Sequence, residues 1–237
     1  MSEIIAVIPA FEPDDHLPQL VHRLKSAFQR LVVIDDGSRS ASDIFADLRS
    51  IDGVTVLVHG ENRGKGAALK TAFAEVLRRS PDSTGVVTVD ADGQHLPEDI
   101  LRVARSLAES PDRMTLGVRT FGPGIPFRSK LGNLWTIGEF HLLTGRSIRD
   151  TQSGLRGIPR KFLPALLEIP GDRYDYEIRM LVRAVRQSGG VIQVPITTVY
   201  AHGNATSHFR PLADTLSTQR ALLSEALTAR CGSQWHA

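Results

Sequence analysis

The sequence has few of the features that mark secreted, membrane-spanning or nucleic-acid-binding proteins. Its single cysteine, Cys231, cannot form an internal disulfide, which favours a reducing cytoplasm. No hydrophobic run reaches the roughly 20 residues that a membrane-spanning helix needs. The N-terminal segment has no basic region before its apolar residues, unlike a signal peptide. The 28 Lys and Arg against 26 Asp and Glu leave a formal charge of +2, too little for a nucleic-acid-binding surface. We therefore expect a cytoplasmic protein that binds no nucleic acid.

The first half of the chain alternates short apolar runs with segments whose apolar residues recur at helical spacing. This alternation predicts an α/β fold, in which helices flank a mostly parallel sheet. The predicted strands are Ile4–Ile8, Leu31–Ile34, Val54–Val58, Val86–Val89 and Met114–Val118, with helices between them.

The second half is less regular, with one predicted strand at Val191–Ile196 and helices at 131–143, 173–186 and 211–230. No linker or internal repeat divides the chain. We expect a single domain, residues 1–237, with a C-terminal helix.

Polar clusters follow the predicted strands at their carboxyl ends. Ligands of parallel α/β sheets bind outside those ends. The clusters are Phe11-Glu12, Asp35-Asp36, His59 to Lys65, Asp90 to His95, and Arg119. Five strand ends should therefore meet along one rim.

The strongest chemical signal is Asp90-Ala91-Asp92, which directly follows an apolar strand. In an extended segment alternate residues share a face, so the two carboxylates can point the same way. Their repulsion would be relieved by Mg²⁺ or Mn²⁺, which prefer oxygen ligands and often bridge to substrate phosphates. A solvated acidic turn is the alternative.

Two further motifs are weaker when taken alone. Asp35-Asp36-Gly37-Ser38 could accept hydrogen bonds from a nucleoside, or could be a helix cap and turn. The Gly-rich segment 59–66 leads into a helix, which is typical of an anion site. Its spacing fits neither a P-loop nor a dinucleotide fingerprint.

Together these motifs resemble the family 2 glycosyltransferases of the GT-A fold. The branch with the greatest resemblance contains dolichol-phosphate mannosyltransferases and bacterial polyprenyl-phosphate glycosyltransferases. The motifs are Val7-Ile8-Pro9-Ala10-Phe11, Val33 to Ser38, Asn62-Arg63-Gly64-Lys65-Gly66, Asp90 to His95, and Asp150-Thr151-Gln152-Ser153-Gly154-Leu155-Arg156.

The resemblance implies transfer of a sugar from a UDP- or GDP-sugar to a polyprenyl phosphate, with Mg²⁺ or Mn²⁺ as cofactor. It divides the chain into a nucleotide-sugar-binding half (1–119), an acceptor half (120–210) and a C-terminal helix and tail (211–237). The implied donor-binding residues are Pro9, Phe11, Glu12, Asp36, Lys65, Asp90, Ala91 and Asp92. The implied metal ligands are Asp90, Asp92 and Gln94.

The nature of the acceptor decides which residues are catalytic. A phosphate acceptor is already a nucleophilic dianion, whereas a hydroxyl needs a general base. Asp150 therefore has two open roles, sugar-hydroxyl binding, which we favour, and base. Asp92 and Arg119 complete the catalytic set. The implied acceptor or phosphate contacts are Arg119, Arg128, Lys130, Gln152, Ser153 and His208.

Other interpretations of the sequence stay open. Segments 121–143 and 211–230 could rest on a membrane surface, contact a membrane partner or a second copy, or simply pack on the sheet. His95 could support the metal carboxylates, and Glu177 could orient Arg156 or Arg179. The alternative functions are transfer to a hydroxyl acceptor and a non-catalytic nucleotide-sugar-binding module. A sugar nucleotidyltransferase is disfavoured because Pro9 to Pro13 replaces its Gly-rich loop.

Overall fold

A computed structural model of the chain describes residues 3–120, 127–187, 190–197 and 218–225, with the backbone alone for 127–135. Seven strands form one sheet: β1 Ile4–Ala10, β2 Leu31–Asp35, β3 Val54–Val58, β4 Gly85–Thr88, β5 Met114–Arg119, β6 Arg156–Pro159 and β7 Val191–Ile196. The helices are α1 His16–Lys25, α2 Ser42–Arg49, α3 Lys65–Arg79, α4 Pro97–Glu109, α5 Phe127–Thr144, α6 Leu163–Leu167, α7 Asp175–Val185 and α8, residues 218–225.

The strands lie in the order β3-β2-β1-β4-β6-β5-β7, and all pairs are parallel except those that β6 makes. β1 is central to the parallel part, and its side chains alternate between two buried cores. Ala6 and Ile8 face a core completed by α1, α2 and α4. Ile5 and Val7 face a second core completed by α3, α6 and α7. Burial on both faces explains why this strand is a continuous apolar run.

The predicted α/β architecture is confirmed, and all six predicted strands are present within two residues of their expected bounds. The sequence analysis missed β6 and α6. β6 reads Arg-Gly-Ile-Pro, so Ile158 is its one residue of high strand propensity. It is a strand because its backbone pairs antiparallel with β4 and β5 on either side. Tertiary pairing here overrides local propensity.

The antiparallel direction of β6 has a direct consequence for the rim. Arg156, its first residue, pairs with Thr88, the last residue of β4. The segment before β6 therefore lies at the carboxyl ends of the parallel strands. Thr88 Oγ1 fixes it there by donating to the carbonyl of Gly154 at 2.7 Å.

A third core lies beyond β5 and contains residues from α5, α7 and α8, among them Phe140, Leu181 and Leu222. Glu225 at the end of α8 is buried and pairs with Arg183 of α7 at 2.5 Å. The predicted helix 211–230 is thus present over 218–225, and the rest of it lies outside the described residues. None of the helices in the described ranges is long and apolar enough to cross a membrane.

Candidate active site

One cleft opens at the rim where the sequence analysis placed the ligand site. The carboxylates of Asp90 and Asp92 and the guanidinium of Arg119 line it together. The complete lining is Asp90, Asp92, Gln94, His95, Arg119, Gln152, Ser153, Gly154 and Thr197. Six of these nine are predicted site residues. Thr197, which follows β7, was not predicted. It reaches the cleft because β7 lies next to β5 in the sheet, and this strand order could not be predicted from the sequence.

Asp90 is the centre of an ionic cluster at the end of β4. Its Oδ1 lies 2.6 Å from Lys65 Nζ, and its Oδ2 lies 3.3 Å from His95 Nε2. Burial would raise the pKa of Asp90, but the Lys65 ammonium and the His95 hydrogen bond outweigh it and hold that pKa well below its usual range. Asp90 is therefore a carboxylate at neutral pH. Lys65 is the cation that balances it.

Asp92 has a different environment from its neighbour. Its Oδ1 accepts the backbone N–H of Gln94 at 3.1 Å, and among the described residues no hydrogen bond reaches Oδ2. Burial, together with the negative charge of Asp90, raises the pKa of Asp92. A carboxylate with an open oxygen and a like charge nearby is stabilised by a cation. Asp92 is thus the more available of the two for a metal.

Gly154 allows Asp90 to lie against the backbone of the segment that precedes β6. A Cβ at residue 154 would stand 2.4 Å from Asp90 Oδ2 and 2.5 Å from Oδ1, closer than carbon and oxygen can approach. The Asp90 carboxylate therefore packs directly against Gly154. Any larger residue would displace it.

Arg119 and Asp150 form a fixed pair on the other side of the cleft. Arg119 Nε donates to Asp150 Oδ2 at 2.6 Å, and Nη2 donates to Oδ1 at 3.0 Å. Gln152 N–H also donates to Oδ1 at 3.0 Å. Asp150 is fully buried, while Arg119 lines the cleft. The buried carboxylate orients Arg119 through these hydrogen bonds. The two roles predicted for Asp150, sugar-hydroxyl binding and base, stay predictions.

The predicted nucleoside residues are at the ends of β1 and β2, and two of them hold loops. Asp36 is buried and accepts the N–H groups of Arg63 at 3.0 Å and Gly64 at 2.7 Å, and its Oδ1 lies 2.6 Å from His59 Nδ1. Asp36 therefore fixes the Gly-rich loop that positions Lys65 at the first residue of α3. Its predicted contact with a nucleoside stays a prediction.

Glu12 fixes a second loop at this end of the sheet. Its Oε1 accepts the Arg39 N–H at 2.7 Å, and its Oε2 accepts the Ser40 N–H at 3.2 Å. Its own N–H donates to Ser38 Oγ at 2.8 Å. Pro9 pairs with Ile34 of β2, and Phe11 follows the strand half-buried. Ala91 packs against the first core. The nucleoside role of these residues also stays a prediction.

Some predicted residues lie outside what the structure describes. His208 is not among the described residues, and α5 contains Arg128 and Lys130 in the part where the backbone alone is described. Their proposed phosphate contacts stay predictions.

Comparison with known proteins agrees with this geometry. The family model for glycosyl transferase family 2 matches residues 5–164, which contain the Gly-rich loop, the Asp90 and Asp92 pair, Arg119 and Asp150. The chain belongs to glycosyltransferase family 2.

Relatives of this glycosyltransferase include two curated enzymes. The UDP-N-acetylglucosamine–dolichyl-phosphate N-acetylglucosaminyltransferase of Methanococcus voltae is 28% identical over 217 residues, covering 83% of this chain and 86% of the relative. The polyprenol monophosphomannose synthase of Mycolicibacterium smegmatis is 30% identical over 208 residues, covering 81% and 76%.

The fold of the glycosyltransferase is also similar to a solved structure, the glucosyl-3-phosphoglycerate synthase of Mycobacterium tuberculosis in complex with Mn²⁺, UDP and phosphoglyceric acid. The TM-score is 0.69 at 18% sequence identity, with 98% of this chain and 80% of that chain covered. At this identity the likeness establishes the fold, and it confirms the expected GT-A fold.

The glycosyltransferase site can accommodate a divalent ion if substrate completes the coordination. In the described part of the chain no group of three or more His, Cys, Asp or Glu side chains could hold a metal. Mg²⁺ and similar ions, however, often use one or two carboxylates and take their remaining ligands from water and substrate phosphates. Asp92 with its open oxygen and Asp90 beside it fit that mode, and the side chain of Gln94 lines the same cleft.

The sequence analysis underestimated Glu177, for which it expected only an orienting role toward Arg156 or Arg179. Glu177 Oε2 lies 2.9 Å from Lys65 Nζ. A signal was available, because Glu177 shares a helix face with Met180, Leu181 and Ala184, all buried. A carboxylate on a buried apolar face requires a partner.

Proposed function

We propose that this glycosyltransferase moves a sugar from a UDP- or GDP-sugar to a polyprenyl phosphate with the help of a divalent ion. The observation that carries the proposal is that one cleft has carboxylates on one side and Arg119 on the other. The Asp90 and Asp92 side suits a metal-bound diphosphate, and the Arg119 side suits a second anionic group. A lipid phosphate supplies such a group. The names of both curated relatives support this acceptor.

The donor diphosphate would lie at the end of β4, within reach of Lys65 and of a metal held by the two carboxylates. Asp92 and Asp90 would hold the metal, and Gln94 would lie beside it. A bound Mg²⁺ or Mn²⁺ would neutralise charge on the departing nucleoside diphosphate. Lys65, the first residue of α3, would add a positive charge beside the diphosphate.

The attacking group would be an oxygen of the lipid phosphate. Its second pKa near ~6 makes it a dianion at pH 7, so no side chain has to remove a proton. The carboxylates among the described cleft residues are Asp90 and Asp92, and both belong to the metal side. Asp150 is buried behind Arg119. This arrangement favours a phosphate acceptor over a hydroxyl acceptor, which would need an accessible base.

Arg119 would bind the acceptor phosphate. Guanidinium groups recognise phosphate oxygens with paired hydrogen bonds, provided that their orientation is fixed. Asp150 supplies that orientation through two hydrogen bonds, and it leaves Arg119 at the cleft surface. Gln152 and Ser153, from the same segment, line the cleft next to it.

A membrane-facing loop would bring the cleft to its lipid substrate. Residues 141–149 comprise the last turn of α5 and the loop from there to Asp150, and they contain no acidic residue. Leu142, on that turn, is 81% exposed, and Arg146 and Arg149 are exposed on the loop. Gln193 of β7 fixes the loop through bonds to the Arg149 N–H at 2.8 Å and the Ser147 carbonyl at 3.1 Å. An exposed leucine with flanking arginines suits an anionic bilayer surface.

A transfer assay tests the proposal. Purified protein would be incubated with Mn²⁺ or Mg²⁺, a panel of UDP- and GDP-sugars, and a polyprenyl phosphate in detergent, and organic-phase glycolipid would be followed by mass spectrometry. We expect one donor to give a glycosyl phospholipid and chelation to abolish it. Transfer to soluble hydroxyl acceptors alone would replace the lipid acceptor. Donor binding without turnover would identify a non-catalytic binding module.

A further inference from the structure

Glu177 and Asp90 share one lysine, Lys65, at the edge of the cleft. Of the three, Asp90 is the one that lines the cleft. Lys65 Nζ lies 2.6 Å from Asp90 Oδ1 and 2.9 Å from Glu177 Oε2, so one ammonium joins two carboxylates. The Glu177 side chain is 11% exposed, against 27% for Asp90.

The structure holds Glu177 rigidly relative to Lys65. Arg156, which is fully buried, donates from Nη1 to the Glu177 carbonyl at 2.6 Å, and its Nη2 lies 3.9 Å from Glu177 Oε1. The first turns of α3 and α7 are also in close contact, because a Cβ at Gly66 would stand 2.6 Å from Tyr176 Cβ. Lys65 precedes Gly66 in the sequence, and Glu177 follows Tyr176. Their separation is therefore fixed by packing.

The two carboxylates cannot have equal roles once a metal and a diphosphate are bound. Asp90 Oδ1, the atom that Lys65 contacts, belongs to a proposed metal ligand, so a divalent ion and the ammonium compete for it. If Asp90 were the only carboxylate paired with Lys65, metal binding to Asp90 would leave the ammonium without a partner. Glu177 is behind the cleft and is not needed by the metal. It can keep the ammonium in place while Asp90 turns to the ion.

We propose that Glu177 is a positioning residue that holds Lys65 at the cleft for the donor diphosphate. The inference rests on the proposed nucleotide-sugar donor and is independent of the acceptor. Asp90 pairs with Lys65 before the donor binds, and Glu177 keeps Lys65 within reach of the phosphates afterwards.

The test is a double-mutant cycle on nucleoside diphosphate binding, measured by calorimetry with UDP and with GDP at saturating Mn²⁺. Glu177→Gln is nearly isosteric and keeps the backbone carbonyl that Arg156 uses. We expect it to raise the Kd about tenfold, because charge-assisted contacts lose strength when their geometry relaxes. Lys65→Met should raise the Kd at least as much. In the Lys65→Met background, Glu177→Gln should have no further effect.

Asp175→Asn is the matched control, since it removes a charge from the same turn of α7. Asp175 lies 3.8 Å from Arg179 and accepts the Arg173 N–H, away from Lys65. We expect it to leave the Kd within about twofold of wild type. Glu177→Asp keeps the negative charge on a side chain that is one carbon shorter, so it should also weaken nucleoside diphosphate binding. Thermal melts of every variant separate loss of folding from loss of affinity.

The outcomes distinguish this inference from the proposed function. A wild-type Kd in Glu177→Gln or Glu177→Asp, or additive effects of the Glu177 and Lys65 changes, would overturn the role of Glu177 and leave the proposed donor intact. A wild-type protein that binds neither UDP nor GDP would overturn the proposed donor and the role of Glu177 with it.

Discussion

The two sides of the cleft each contain a carboxylate paired with a cation, but the pairs are built differently. In the Lys65–Asp90 pair both side chains are partly exposed, 18% and 27%. In the Arg119–Asp150 pair the carboxylate is completely buried, and the arginine is 25% exposed. Under the proposed function, the first pair would exchange its cation for a metal, whereas the buried carboxylate of the second would keep its arginine in one orientation. We call the Lys65–Asp90 side of the cleft the adjustable side and the Arg119–Asp150 side the fixed side.

The largest effect should come from removing the open carboxylate on the adjustable side. Asp92→Ala should lower metal-dependent turnover by at least about a hundredfold, because the ion loses its most available ligand. The melting temperature should change little. Asp82→Ala, in an exposed turn, is the control. Turnover and Mn²⁺ binding would both be measured, and wild-type activity in Asp92→Ala would refute the metal assignment.

The next effect comes from the glycine on which Asp90 rests. Gly154→Ala would place a Cβ about 2.4 Å from the carboxylate oxygen, so Asp90 must move. Overpacking of this kind costs about 1–3 kcal/mol, and we expect turnover to fall about 10- to 100-fold. Gly138→Ala is the comparison, because a Cβ there meets no atom within 4 Å. It should keep full activity. Equal activity of both variants would show that the Asp90 position is unimportant.

On the fixed side, Asp150→Asn should remove the charge that orients Arg119. We expect about a tenfold loss of turnover. The free energy of unfolding should fall by about 1–3 kcal/mol, because the asparagine amide is a weaker hydrogen-bond partner for Arg119 than the buried carboxylate. Asp112→Asn, in an exposed pair with Lys161, should cost under about 0.5 kcal/mol. Chemical denaturation gives the stabilities. Unchanged turnover and stability in Asp150→Asn would show that the Asp150 charge is not needed to orient Arg119.

The last prediction concerns approach to the lipid rather than chemistry. The triple change Leu142→Gln, Arg146→Gln, Arg149→Gln should lower binding to phosphatidylglycerol vesicles by about tenfold or more, since each arginine contributes about 1 kcal/mol near an anionic surface. Nucleoside diphosphate affinity should be unaffected. Vesicle co-sedimentation measures the first and calorimetry the second. Unchanged vesicle binding would place the membrane contact elsewhere on the protein.

The sequence predicted the adjustable side better than the fixed side, for a physical reason. The strands before Asp36 and Asp90 are buried apolar runs with polar residues at their ends, so local pattern is enough to locate the rim. β6, in contrast, is a strand because it pairs with β4 and β5, and its four residues alone do not predict one. The burial of Asp150 behind Arg119 therefore could not be read from the sequence. The same holds for the contact of Glu177 with Lys65, which depends on how α3 and α7 pack.

The central claim is that the acceptor is a phosphate. The most direct measurement compares a polyprenyl phosphate with the corresponding polyprenol, which has the same chain and a hydroxyl in place of the phosphate, under one donor and one metal. The account predicts a glycolipid from the phosphate and none from the alcohol. A product from the alcohol at a comparable rate would contradict it, because the described cleft offers a polyprenol no accessible base.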